Sequence, residues 1–134
     1  MPNVASAIVA ASIGAMLFFS AVVAPTAFRA LSAESAGLFV RSLFPSYFLI
    51  NGAAGVIAAI LALRVTPAAL LLVGGVALIA LRLFVVPAIN AARDAVLAGE
   101  EGAKPSFARL HRLSVIVNLA AVVLYGASIW LLAA

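Results

Sequence analysis

From Val4 to Phe28 the chain runs 25 residues without a charged side chain, and no other feature narrows its fold as much. At about 1.5 Å of rise per helical residue, such a run crosses a hydrocarbon layer about 30 Å thick. At that depth a helix satisfies all its backbone N–H and C=O groups within one segment. Three further apolar runs follow, so the sequence predicts an all-α integral membrane four-helix bundle, one domain over 1–134. Its helices are expected at about 4–28, 45–63, 67–87 and 106–132. Only 9% of the 134 residues are charged, against about a quarter in a soluble domain, which excludes a water-soluble globule. The first run lacks a basic leader and carries Pro25 where a small-residue cleavage motif would stand. It is therefore expected to stay as a helix and not to be a signal peptide.

The connections carry their own signals. A short interfacial helix is expected over about 32–43, with Ser32 as N-cap and Glu34 in the first turn, where the helix dipole favours a negative charge. Pro45 then opens the second helix at a first helical position, and Ser106 is expected to cap the fourth. Pro25 should bend or end its helix, and Pro87 should kink the chain, with Ala88 to Ala98 continuing as a helix that leaves the membrane. Rows of small residues, Ala7, Ala11 and Ala15 beside Ser6, Ala10 and Gly14, are expected to let helix backbones approach closely, as is the pair Gly74–Gly75. A faint internal repeat is also present. Val23-Ala24-Pro25 returns 62 residues later as Val85-Val86-Pro87, and Asn51-Gly-Ala-Ala returns 67 residues later as Asn118-Leu-Ala-Ala. Such a repeat would make the bundle two duplicated helical hairpins related by an axis along the membrane normal.

Charge placement predicts orientation. Arg29, Arg41, Arg82, Arg93, Lys104, Arg109 and Arg112 fall on one side of the four runs, and Arg64 alone on the other. Short loops rich in Lys and Arg stay in the cytoplasm, so the expectation is a cytoplasmic (inner) membrane protein with both termini outside. Arg82 lies toward the inner end of its helix and can extend its head to the interface.

The polar residues left inside the spans are few. His111, Ser114 and Asn118 stand three and four residues apart, which stacks them on one helical face. With Tyr47 and Asn51 from the second helix they form a polar notch, suited to packing or to contact with a ligand. A buried amide needs partners, so Asn51 should face other helices. His111 has two readings. It registers helix two against helix four through Tyr47, Asn51 or a carbonyl, or it serves as proton relay, ligand or pigment contact.

Much chemistry is excluded. The chain has no cysteine, one histidine and two methionines, too few donors for a metal site. No acidic residue lies within a span, so no nucleophile, base and orienting group can be assembled, and enzyme activity is not expected. A net charge of +4 is read as topology and not as a nucleic-acid footprint. No cofactor is predicted; pigment, lipid or quinone contact would arise only within a larger complex.

Leu43-Phe44-Pro45-x-Tyr47-Phe48, a proline ending helix three, and Phe107-x-x-x-His111-x-x-Ser114-x-x-x-Asn118 together resemble the transmembrane protein 205-like family. The resemblance runs over nearly the whole chain, with a shorter loop than in the animal form. It implies a four-helix membrane protein of bacteria and eukaryotes, filed as a domain of unknown function. The expected role is an accessory or scaffolding subunit of a larger membrane complex, respiratory or photosynthetic, meeting the lipid bilayer and other subunits through Ala/Gly-rich helix faces. The alternatives are a small oligomeric transporter or channel for an ion or metal, and a pigment or cofactor contact through His111.

Overall fold

The computed structural model describes residues 2–134, with side chains from Val4 onward. Four helices follow one another: α1 (Val4–Ala30), α2 (Ala33–Leu61), α3 (Val65–Leu97) and α4 (Glu101–Ala133). Each is long and apolar enough to cross a membrane. The chain is an all-α four-helix membrane bundle and a multi-pass membrane protein. At 27 to 33 residues, the helices exceed what a hydrocarbon layer about 30 Å thick requires, so their ends project beyond it.

Helix order around the bundle follows the chain. α2 packs on α1 and α3, α4 packs on α3, and α1 closes the ring against α4. Four crossings bring the two ends of the chain to one face, where Arg64 donates to the carbonyl of Leu131. The other face carries both remaining connections and is rich in arginine. Buried positions recur at alternating spacings of four and three. In α1 they are Ala5, Val9, Ser12, Met16 and Phe19; in α3, Pro67, Leu71, Gly74, Leu78 and Leu81. This 3.5-residue spacing is the seam of near-parallel helices packed side by side.

Close approach is concentrated between α2 and α3. A Cβ added at Gly75 would stand 2.7 Å from the Gly52 carbonyl oxygen and 2.9 Å from the Val56 nitrogen. Gly74–Gly75 is thus a packing point. The small-residue rows of α1 are not: Ala7, Ala10, Ala11, Gly14 and Ala15 are all exposed, and a Cβ at Gly14 would meet nothing within 4 Å. Within the chain, therefore, no close helix contact forms along those rows. Lipid and protein interior are equally apolar, so small residues permit close contact without determining where it forms.

Other expectations about helix limits are corrected. The segment 32–43 is no separate interfacial helix but the first part of α2, a single 29-residue α-helix Ala33–Leu61 with Pro45 inside it. Proline deletes one hydrogen bond, and at the level of Arg41, near the polar boundary, the freed carbonyl is not sealed in hydrocarbon. Ser32 does cap that helix, accepting from the Ser35 N–H at 3.2 Å. Ser106 does not cap α4, whose α-helical part starts at Lys104 with Pro105 in its first turn and no side-chain cap. Pro25 and Pro87 end neither helix. Each follows a π-helical turn, Phe19–Val23 and Leu81–Val85, in which the N–H of Ala24 donates to Phe19 and that of Val86 to Leu81. The wider turn absorbs the missing proline N–H and lets the helix run on. The helix expected over Ala88 to Ala98 is present and continues α3 to Leu97.

The two π turns lie 62 residues apart, at the same offset as the Val-x-Pro repeat. Backbone geometry and sequence therefore repeat together at the corresponding ends of α1 and α3.

Candidate functional site

Beyond the π turns a cleft of about 490 Å³ opens among all four helices toward the arginine-rich face. α1 supplies Phe19, Ser20, Pro25 and Phe28; α2 supplies Arg41, Phe44, Tyr47 and Phe48; α3 supplies Asn90 and Arg93; α4 supplies Phe107, His111, Ser114 and Asn118. The stack expected of α4 therefore exists: His111, Ser114 and Asn118 line one cleft, with Tyr47 opposite.

Aromatic rings make its wall. Phe19 meets Tyr47 at 4.9 Å and Phe44 at 5.5 Å between centroids, and Phe44 stacks on Phe48 at 5.3 Å. Phe19 is the last residue of the regular seam of α1 and the first of its π turn, so the seam itself carries its ring to this wall.

Below the cleft a polar network ties the helices. The Ser12 hydroxyl donates to Asn51 Oδ1 at 2.7 Å, and Asn51 Nδ2 donates to the Tyr47 carbonyl at 2.8 Å. The Tyr47 hydroxyl donates to Asn118 Oδ1 at 2.9 Å, and Tyr125 donates to the Asn51 carbonyl at 2.8 Å. Asn51 is buried and faces other helices, but it lies under the floor of the cleft and does not line it. Among the described residues no buried side-chain nitrogen or oxygen lacks a partner. In hydrocarbon this matters, because an unmatched polar group has no water to turn to. Ser12 and Tyr125 were missed by sequence reasoning. Each looked like an ordinary residue of its apolar run, and only the packing of α1 and α4 around Asn51 reveals them.

His111 is corrected. It is exposed, stacked on Phe107 at 6.1 Å between centroids, and reaches neither Tyr47 nor Asn51. Tyr47 is taken by Asn118, while the Ser114 hydroxyl bonds back to the His111 carbonyl at 2.7 Å within α4. His111 sits one turn above Ser114, too near the mouth to cross the bundle.

At the mouth, Arg41 forms a two-pronged pair with Asp94, at 2.5 and 3.0 Å. Asp94 stands on the part of α3 that projects past the apolar span, and the Arg41 guanidinium hydrogen-bonded to it holds its carboxyl below the usual carboxylate range. Arg93 turns the other way and lies across Gly37, whose missing side chain leaves the space for its guanidinium. Among the described residues no carboxylate lines the cleft and none pairs with Arg93. Of the remaining cationic residues expected on this side, Arg82 is half-buried at the π turn of α3, Arg29 ends α1, and Lys104 pairs with Glu101. Arg109 and Arg112 are exposed on α4 outside the cleft.

A family model described as a domain of unknown function (DUF4149) matches residues 7–98, more than half of the chain. The protein belongs to the DUF4149 family. No curated protein and no solved structure matches it. The DUF4149 match takes in α1, α2 and α3 with both π turns, and ends before α4. In terms of the cleft, it covers Phe19, Tyr47 and Arg93 but not His111, Ser114 or Asn118.

Proposed function

We propose that this DUF4149 protein is a non-enzymatic accessory subunit that packs against the helices of a larger membrane complex. The observation that carries this reading is the outward face of α1, where Ala7, Ala10, Ala11, Gly14 and Ala15 stand exposed on a helix whose opposite face is fully packed. Between helices in lipid, association comes from close van der Waals contact, and small side chains are what allow it. Inside the bundle the same residue types bring α2 against α3; on α1 they are left open for a helix of another chain. The motif likeness to the transmembrane protein 205-like family is compatible with this reading, since it implies a four-helix membrane protein.

Photo-crosslinking in native membranes tests it. A benzophenone side chain at Ala11 is expected to give discrete adducts with one or two partner proteins, whereas the same probe at Ile60, exposed on α2, gives none. Recovery of the protein only as a free monomer in mild detergent, with no adduct from Ala11, would sink the assignment.

The arginine-rich face is assigned to the cytoplasmic side of an inner membrane, on the strength of seven cationic residues against one. With no native cysteine in the chain, Thr66→Cys should react with a membrane-impermeant maleimide in intact cells. Gly102→Cys should react only after permeabilisation. The reverse pattern overturns the orientation.

A further inference from the structure

We propose that the cleft at the arginine-rich end of the bundle is a binding site for a phosphate-bearing lipid. Its head would be held between Arg93 and His111 and its chain laid along Phe28, Phe44 and Leu119, the accessible apolar lining over the buried rings. This inference is independent of the partner face on α1.

Charge is the first argument. Two guanidinium groups and an imidazole line the cleft without a carboxylate among the described residues. Arg41 is committed to Asp94, but Arg93 is not paired, and Gly37 lets it lie inward across α2. An arginine fork matches phosphate oxygens two at a time, and its charge strengthens those bonds in a site partly shielded from water.

The second argument is the division of the cleft by depth. Below the cationic mouth the wall is aromatic, and below that the floor is an amide. Asn118 accepts from Tyr47 through Oδ1, which leaves the Nδ2 hydrogens as the donors available to a ligand oxygen. Seven residues, about 10 Å of helix rise, separate His111 from Asn118. A hydrophilic anion would occupy only the mouth and leave the rings unfilled. A neutral lipid would cover the rings and leave Arg93 without an ion-pair partner of its own, since Asp94 is bonded to Arg41. A phosphate head with ester oxygens and an alkyl chain satisfies mouth, floor and wall together, and a cleft of about 490 Å³ falls within the size range of ligand sites.

The third argument is access. Ser20 and Pro25 on α1, and Val115 and Leu119 on α4, are exposed and line the cleft. The gap between these helices gives a chain a lateral way out to the bilayer. Both π turns, each followed by a proline, lie at this level of the bundle, and Phe19 of the first lines the cleft.

Native mass spectrometry of the whole protein in mild detergent tests this, with phosphatidic acid and phosphatidylcholine of identical chains as probes. One phosphatidic acid per chain should be retained at least about tenfold more strongly than phosphatidylcholine, a difference of about 1.4 kcal/mol. Arg93→Gln, and separately His111→Gln and Asn118→Ala, should each erode that preference. Arg112→Gln, which removes a charge from the same face outside the cleft, should keep it. Circular dichroism on each variant checks that the fold survives, and His111→Gln, at an exposed position, keeps the test available should Arg93→Gln fail to fold. Equal retention of the two lipids overturns the proposal. So does an Arg112→Gln loss matching that of Arg93→Gln, which would indicate diffuse surface charge. Inorganic phosphate competing as strongly as the lipid would mean that a free anion is the ligand and that the aromatic wall takes no part, and this too overturns it.

Discussion

Gly75→Val is expected to destabilise the bundle by about 3 kcal/mol or more, read as a fall in unfolding midpoint in mild detergent with added SDS. At this position the neighbours are main-chain atoms: the Gly52 carbonyl oxygen at 2.7 Å from the first added carbon and the Val56 nitrogen at 2.9 Å. A side chain can rotate away from a newcomer. Two helix backbones can only separate, and separating α2 from α3 gives up packing along their whole contact. Gly52→Ala should behave similarly at smaller size, because its added carbon meets Ile79 at 2.7 Å and the Gly75 carbonyl at 2.9 Å. Gly14→Ala and Gly126→Ala, where nothing lies within 4 Å, should leave the isolated protein within about 0.5 kcal/mol of its starting stability. Equal tolerance at Gly75 and Gly14 would show that α2 and α3 do not touch as described.

Tyr125→Ala is the second large effect, expected at about 2–4 kcal/mol by the same measurement. Tyr125 is the largest fully buried side chain among the described residues, and Gly55 and Gly74 are both shaped around its ring. In lipid the transfer part of a truncation is weak, since the unfolded helix also sits among hydrocarbon. The lost dispersion contacts and the cavity remain. The value therefore falls below that of a comparable change in a soluble core. Tyr125→Phe isolates the hydroxyl, which donates to the Asn51 carbonyl, and should cost only about 0.6–2 kcal/mol. If the two substitutions cost the same, the ring contributes nothing beyond its hydrogen bond, and the packing around Gly55 and Gly74 would need another explanation.

Residue by residue, the sequence was informative where an energetic penalty is large and local. Charge-free runs had to become helices, because an unpaired backbone group in hydrocarbon costs several kcal/mol. Asn51 had to turn inward for the same reason, and it does. The spacing of His111, Ser114 and Asn118 put them on one face without knowledge of any partner helix, and they share the cleft. The Val-x-Pro repeat marked both places where the helices widen into π turns, although proline alone suggested an end or a bend and not a bulge. Pro45 misled, because a proline near the polar boundary can sit inside a helix at little cost.

What the sequence alone determined about this protein is the number of helices, their order, and the few polar side chains that must meet inside. Tertiary structure decided which face of each helix is buried. It put the small residues of α2 and α3 in contact while leaving those of α1 open, matched Ser12 and Tyr125 to Asn51, and kept His111 at the mouth away from Tyr47. The reason is that a membrane helix is apolar all round. Hydrophobicity commits it to the bilayer but is indifferent to rotation about its axis, so shape and hydrogen bonding with the neighbouring helices set the face that turns inward.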